Sequence, residues 1–146
     1  MNYQHIMASI DFSAQSQNIT QKAKNLATVY GAKLSLIHIL DNIPMPQVPY
    51  GTVISLTEKT DNELLEAEKQ KFIQVAKQLD VIDDCRWLVW GNPKQEITHI
   101  ADQNNVDLIV LGSHGRHGLA LLLGSTANAV LHHANCDVLA VRIKES

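Results

Sequence analysis

Cysteine is scarce in this chain of 146 residues, which has only Cys85 and Cys136. Two are too few for a disulfide framework, and they lie too far apart for the CxxC spacing of a redox or zinc motif, so both are expected as reduced core thiols. Aromatic residues make up 5% of the chain and charged residues 18%, with a formal net charge of -3. Phosphate-backbone recognition needs concentrated Lys and Arg, so this balance gives no electrostatic footprint for nucleic acid. Long apolar runs are missing as well: stretches such as Leu119-Ala120-Leu121-Leu122-Leu123 fall far short of a membrane span. The opening Met1-Asn2-Tyr3-Gln4-His5 has no basic stretch followed by an apolar block, so no secretory leader is expected and the cytoplasm is the expected compartment. What the chain does have is 45% hydrophobic residues, too many for a disordered chain and enough for one ordinary core. A single domain over residues 1–146 is expected.

Short apolar runs alternate with longer segments of helical period, the pattern of βα units around a mainly parallel sheet. Five strands are predicted, at residues 3–10, 33–40, 86–90, 106–111 and 137–143. The fourth is almost continuously apolar, as expected for a strand covered on both faces. Ile19, Ala23, Leu26, Ala27 and Tyr30 recur at helical spacing, and Gly31 stands where a left-handed C-terminal residue belongs. Residues 42–51 hold three of the four prolines and are expected as a surface loop. A charged helix follows, with Leu65, Phe72, Ala76 and Leu79 on its inner face and the pairs Glu66/Lys69 and Glu68/Lys71 assigned to solvent. Asn92-Pro93 opens another helix: Asn92 caps it, Pro93 has no N–H to lose at the first position, and Gln95 can complete a capping box. Ile97, Ile100 and Ala101 then face the sheet, and a last helix is expected at residues 125–134.

Right-handed crossovers must place helices on both faces of such a sheet, so the winding reverses somewhere along it. With the first strand central, the order 3-2-1-4-5 puts the reversal between strands one and four. Ligands of open α/β sheets bind beyond the carboxyl ends of the strands at that point. Strand one ends there in Ile10-Asp11-Phe12-Ser13, and strand four in Gly112-Ser113-His114-Gly115-Arg116-His117-Gly118. Asp11 can accept hydrogen bonds from ribose hydroxyls or, like Ser13, cap the first helix. Gly112 and Gly115 permit positive φ, so the loop is open to two readings, turn punctuation or an anion-binding nest. Gly124-Ser125-Thr126 opens a helix whose first N–H groups and positive dipole end favour a phosphate.

These residues resemble the universal stress proteins. The resemblance covers essentially the whole chain: Ile10-Asp11-Phe12-Ser13, Leu36-Ile37-His38-Ile39, the stretch from Val106 to Gly115, Gly124-Ser125-Thr126, and Cys136-Asp137-Val138-Leu139-Ala140-Val141-Arg142. It implies an open, doubly wound, Rossmann-like sheet of the adenine nucleotide alpha hydrolase-like type, usually in a homodimer. In one branch of the family it also implies an ATP site on a G-x-x-G-x9-G-[ST] motif. Carried over, Asp11 meets the ribose or adenine, the Ile39 backbone contacts adenine, and Gly112, Gly115, Gly124, Ser125 and Thr126 surround the phosphates, with any Mg held through the phosphates. Here eight residues, not nine, separate Gly115 from Gly124. That spacing resembles the branch without nucleotide binding, although that branch tends to lose the glycines kept here.

Other chemistries find less support. His132 and His133 are adjacent on a helix and point about 100° apart. No Cys, Asp or Glu lies between Ser113 and Ala134 to join His114 and His117 as ligands, so no metal site is expected. The nucleophile elbow, the Walker motif and the dinucleotide fingerprint are all absent, and no lysine stands in the glycine loop. A binding module is expected, without catalytic residues, in which His114 and Arg116 donate to a phosphate. Trp87 and Trp90 fall on opposite faces of their strand and read as packing residues. Strand five, Val138-Leu139-Ala140-Val141, is a flat apolar edge without proline, and antiparallel pairing across a two-fold would cover it. Self-association there, an adenine nucleotide and an unidentified protein are the expected partners. The rivals are a dimeric adaptor with a vestigial site and a slow ATPase.

Overall fold

The computed structural model describes residues 2–44, 48–114 and 123–142. Five parallel strands, β1 (His5–Ser9), β2 (Lys33–Leu40), β3 (Arg86–Trp90), β4 (Leu108–Gly112) and β5 (Asp137–Val141), lie in the order β3-β2-β1-β4-β5. Helices α1 (Ser16–Tyr30), α2 (Glu63–Gln78), α3 (Pro93–Gln103) and α4 (Ser125–His133) make the crossovers. The central strands β1, β2 and β4 are buried on both faces, and alternate residues of the sheet serve two separate cores. Ile6, Ala8, Leu36, Leu88 and Val110 pack under Ile19 and Ala23 of α1 and Leu65 and Phe72 of α2. Met7, Ile37, Ile39, Val89 and Ile109 face Ile97 and Ile100 of α3 and Ala127 and Val130 of α4. The sheet is therefore doubly wound, with its reversal between β1 and β4.

Strands two and three have the expected bounds, while strands one and four are offset from theirs. Asp107 explains this: its carboxylate accepts the N–H groups of Gln4 at 2.8 Å and His5 at 3.0 Å. The Gln4 carbonyl still accepts the Lys33 N–H and the Asp107 N–H still reaches the His5 carbonyl, but the Gln4 N–H goes to the Asp107 side chain, and the Val106 N–H turns back to Ala101 of α3. Ile143, the expected end of strand five, lies outside the described residues. Gly31 closes α1 at φ 62, which lets the Ala32 N–H reach the Ala27 carbonyl at 2.8 Å. Neither Asp11 nor Ser13 is the N-cap of α1; that position is Gln15, without a side-chain bond. Asn92 caps α3 by accepting the Lys94 N–H at 2.9 Å.

The solvated face expected for α2 needs correction. Lys69 is 2% exposed: its ammonium donates to the Glu58 carbonyl and, at 2.9 Å, to Glu66 Oε1. Glu66 Oε1 also accepts the Thr60 N–H, so the pair fastens residues 58–60 onto the helix. Burial of the lysine is tolerated because its charge meets two oxygens while its stem packs against the core. Glu68 is likewise turned inward, toward His38, and of the four charges Lys71 is the one well exposed.

The two sheet edges differ. An antiparallel bridge from Val53 to Val89 covers β3, with the Ile54 N–H on the Leu88 carbonyl at 2.7 Å. Among the described residues no strand covers β5, whose side chains from Val138 to Val141 remain half-buried.

Candidate functional site

A cavity of about 410 Å³ opens beyond the carboxyl ends of β1, β2 and β4, at the reversal of winding. Its size is that of a small-molecule site. Asp11, Ile39, Gly112, His114, Gly124, Ser125 and Thr126 all line it, so seven residues singled out in the sequence meet in one place. Gly115 and Arg116, the other two, lie outside the described residues, as do His117 and the centre of the proline-rich loop.

Each wall follows from local structure. Asp11 stands immediately beyond β1, where the chain turns into α1. Its Oδ1 accepts the Ser13 N–H at 2.9 Å and the Ser16 hydroxyl at 3.3 Å, which leaves Oδ2 without a hydrogen-bond partner among the described residues. The local turn and a ligand contact can therefore share this carboxylate. Ile19, Ile39 and Ile97 supply apolar surface from three different elements. On the opposite side the Gly124 N–H donates to the Ser113 carbonyl at 2.7 Å, and the Ser113 N–H to the Val141 carbonyl at 2.9 Å. These two bonds hold the start of α4 against the end of β4. The N-cap of α4 is Gly124, which has no side chain to offer the helix, and the first amide seen to bond back to the cap is that of Asn128. The first N–H groups of α4 thus have no intrahelical acceptor, and the positive end of its dipole lies at the cavity.

Gly112 is not in the left-handed conformation that its place in the loop suggested. It is the last residue of β4, paired with Val141, and among the described residues the glycines at positive φ are Gly31, Gly51 and Gly91. His114 bonds through Nδ1 to the Ser113 hydroxyl at 3.0 Å. Its Nε2 is buried and has no partner among the described residues; with Nδ1 accepting from the Ser113 hydroxyl, Nε2 carries the proton and a ligand acceptor there would satisfy it. A nucleoside phosphate suits this donor set: an acceptor on one side, orphaned donors on the other, and apolar surface between them. Among the described residues no group of three or more His, Cys, Asp or Glu could hold a metal ion.

Sequence reasoning missed His38 and Asp41 as lining residues. The signal for Asp41 was its position at the carboxyl end of β2, beside the reversal point; that for His38 was a lone imidazole in an otherwise aliphatic run. Neither cysteine lies at the cavity. Cys85 is buried, and Cys136, just before β5, has its thiol pushed up to about 11 by burial and by the neighbouring Asp137 and Asp107 carboxylates.

Comparison with known proteins gives a consistent result. The family model described as the universal stress protein family matches residues 2–142. Universal stress protein A homolog 2 of Coxiella burnetii is 41% identical over 146 residues, covering 99% of both chains. The solved structure of MJ0577, a universal stress protein of Methanocaldococcus jannaschii, superposes with a TM-score of 0.77 at 28% identity over all of both chains. A universal stress protein crystallised in complex with cAMP superposes at 0.65 with 25% identity, covering 97% of this chain and 98% of that one.

Proposed function

Since the chain belongs to the universal stress protein family, we propose that it binds ATP or a related adenine nucleotide in the cavity between β1 and β4. The base lies against Ile39 and Ile97, with the Ile39 backbone reading its edge, and Asp11 accepts the ribose hydroxyls. Gly112, Gly115, Gly124, Ser125 and Thr126 surround the phosphates, His114 and Arg116 donate to them, and Mg is carried by the phosphates. The observation that carries this reading is the bond from the Gly124 N–H to the Ser113 carbonyl, which holds an uncapped helix N-terminus across one cavity from the Asp11 carboxylate. The relative crystallised with cAMP adds that a protein of this fold accepts an adenine nucleotide.

The nucleotide changes partner binding and is not turned over. The chain has no Walker lysine, and no Asp or Glu stands in sequence between Asp107 and Asp137, around Gly115, to activate water. The protein is cytoplasmic and works as a homodimer through the uncovered edge of β5, for which a stable monomer in sedimentation at micromolar concentration is the contrary result. The eight-residue spacing between Gly115 and Gly124 favours a second reading, a dimeric adaptor that needs no nucleotide. If Gly115→Asp abolishes nucleotide binding and leaves stress survival unchanged, the adaptor reading holds.

Ser125→Pro tests the site directly. Ser125 is the first residue of α4, where proline is favoured, and Gly124 at φ -60, ψ 152 already has the conformation that precedes a proline. The variant keeps the helix while deleting one backbone N–H and one hydroxyl. Hydrogen bonds to charged groups contribute about 1.5–3 kcal/mol, so calorimetry should show at least roughly tenfold weaker ATP binding with an unchanged unfolding midpoint. Equal affinity in the variant refutes the phosphate assignment.

A further inference from the structure

His38 is 2% exposed, yet it reaches the cavity from β2 between the buried Ile37 and Ile39. Its Nδ1 lies 2.7 Å from the Ile10 carbonyl oxygen. A carbonyl only accepts, so Nδ1 carries the proton. The ring sits 4.3 Å, centroid to centroid, from that of Phe12. His38 therefore grips the chain on both sides of Asp11, by the carbonyl before it and by the ring after it. Phe12 is at φ 59, a left-handed conformation disfavoured for any residue with a Cβ. It is held there by the His38 ring and by Lys71 of α2, whose Nζ lies 5.9 Å from the Phe12 ring centroid. Glu68, 3.9 Å from His38 Nε2 and 3.7 Å from the Lys71 ammonium, completes the brace.

We propose that His38 is a positioning residue that sets the place of the Asp11 carboxylate, and so gives the site its preference for a nucleotide whose ribose keeps both hydroxyls. This rests on the nucleotide reading above. Neither the hydrogen bond nor the ring contact is needed to fill the core, since an aliphatic residue of similar size would do that. What an aliphatic residue lacks is a donor for the Ile10 carbonyl. Without the grip, Phe12 relaxes toward negative φ, the turn holding Asp11 rotates, and the carboxylate no longer meets the ribose.

Calorimetric titration of the full-length protein with ATP and with 2′,3′-dideoxy-ATP tests the idea in wild type, Asp11→Ala, His38→Ala and His38→Asn. Wild type should prefer ATP by about tenfold or more, the effect of losing hydrogen bonds to a charged group. Asp11→Ala should abolish that preference. His38→Ala should remove most of it by weakening ATP binding alone, and His38→Asn should restore it, because the carboxamide N–H can replace Nδ1–H. Should His38→Ala fold poorly, His38→Leu serves: leucine fills the core but offers no donor to the Ile10 carbonyl, and the preference should fall in a folded protein. Equal weakening of both nucleotides, or a retained preference in a folded His38→Ala or His38→Leu protein, overturns the positioning role. Retention of the preference in Asp11→Ala instead overturns the inference at its premise, the contact of Asp11 with ribose.

Discussion

Replacing Gly91 by alanine should expose how α3 is held at the cavity. Gly91 ends β3 at φ 155, its N–H on the Leu40 carbonyl at 3.0 Å, and Asn92 and Pro93 start the helix directly after it. A Cβ there would lie 2.7 Å from Glu96 Cγ and 3.2 Å from its Cδ and Oε2. Glu96 has little room to give, being 8% exposed, with its carboxylate also lying close to Gly51. Two costs combine: about 1–3 kcal/mol for a side chain in a glycine conformation, and about 1–3 kcal/mol for overpacking. In the Glu96→Ala background the second cost vanishes, because the atoms met by the new Cβ are gone. Urea unfolding of the wild type, both single variants and the double variant should therefore give a favourable coupling of about 1–3 kcal/mol between the two substitutions. At about 3 °C per kcal/mol, Gly91→Ala alone should lower Tm by about 6–18 °C. Strict additivity would refute the packing argument, and no loss in Gly91→Ala would refute both parts.

Three further outcomes follow from groups wholly or partly withdrawn from solvent. Burial holds the His5 imidazole below its ordinary pKa of 6.5, outweighing the opposing bond to the Asn104 carbonyl. The folded chain then binds fewer protons than the unfolded one, so stability should fall as pH drops below about 6.5. His5→Gln should flatten that limb in urea midpoints from pH 8 to pH 5, and identical profiles would contradict the assignment. Phe72 is 0% exposed, and Phe72→Ala should cost about 3–5 kcal/mol in urea unfolding; a loss below about 1 kcal/mol would show that the core collapses around the gap. With its thiol pushed up to about 11, Cys136 should react slowly with iodoacetamide at pH 8 and about tenfold faster for each pH unit up to pH 10. A plateau by pH 9 would mean that the thiolate is not destabilised by its surroundings.

Much of the architecture was legible because period and punctuation are local. The apolar run of β2 stops at Leu40, where burial gives way to the exposed Asp41, and Asn92-Pro93 and Gly31 mark helix ends by their own backbone chemistry. Non-local contacts were not legible. The ends of β1 and β4 depend on an Asp107 carboxylate that bonds about a hundred residues back along the chain. Helical period separated Lys69 from the apolar stripe of α2, but it had no access to the Glu58 carbonyl that makes its burial tolerable. The site was legible in outline, since strand order alone locates the reversal point and the residues at each strand end. His38 was not, because an imidazole inside an aliphatic strand shows its use only once the Ile10 carbonyl and the Phe12 ring are placed beside it.

The central claim is that this cavity holds an adenine nucleotide, and the protein can be asked directly. Natively purified protein, acid-extracted and its extract chromatographed, should release ATP or a related adenine nucleotide in stoichiometric amount, or, if stripped in purification, should bind ATP in calorimetry. An empty extract together with no detectable ATP binding would contradict the account.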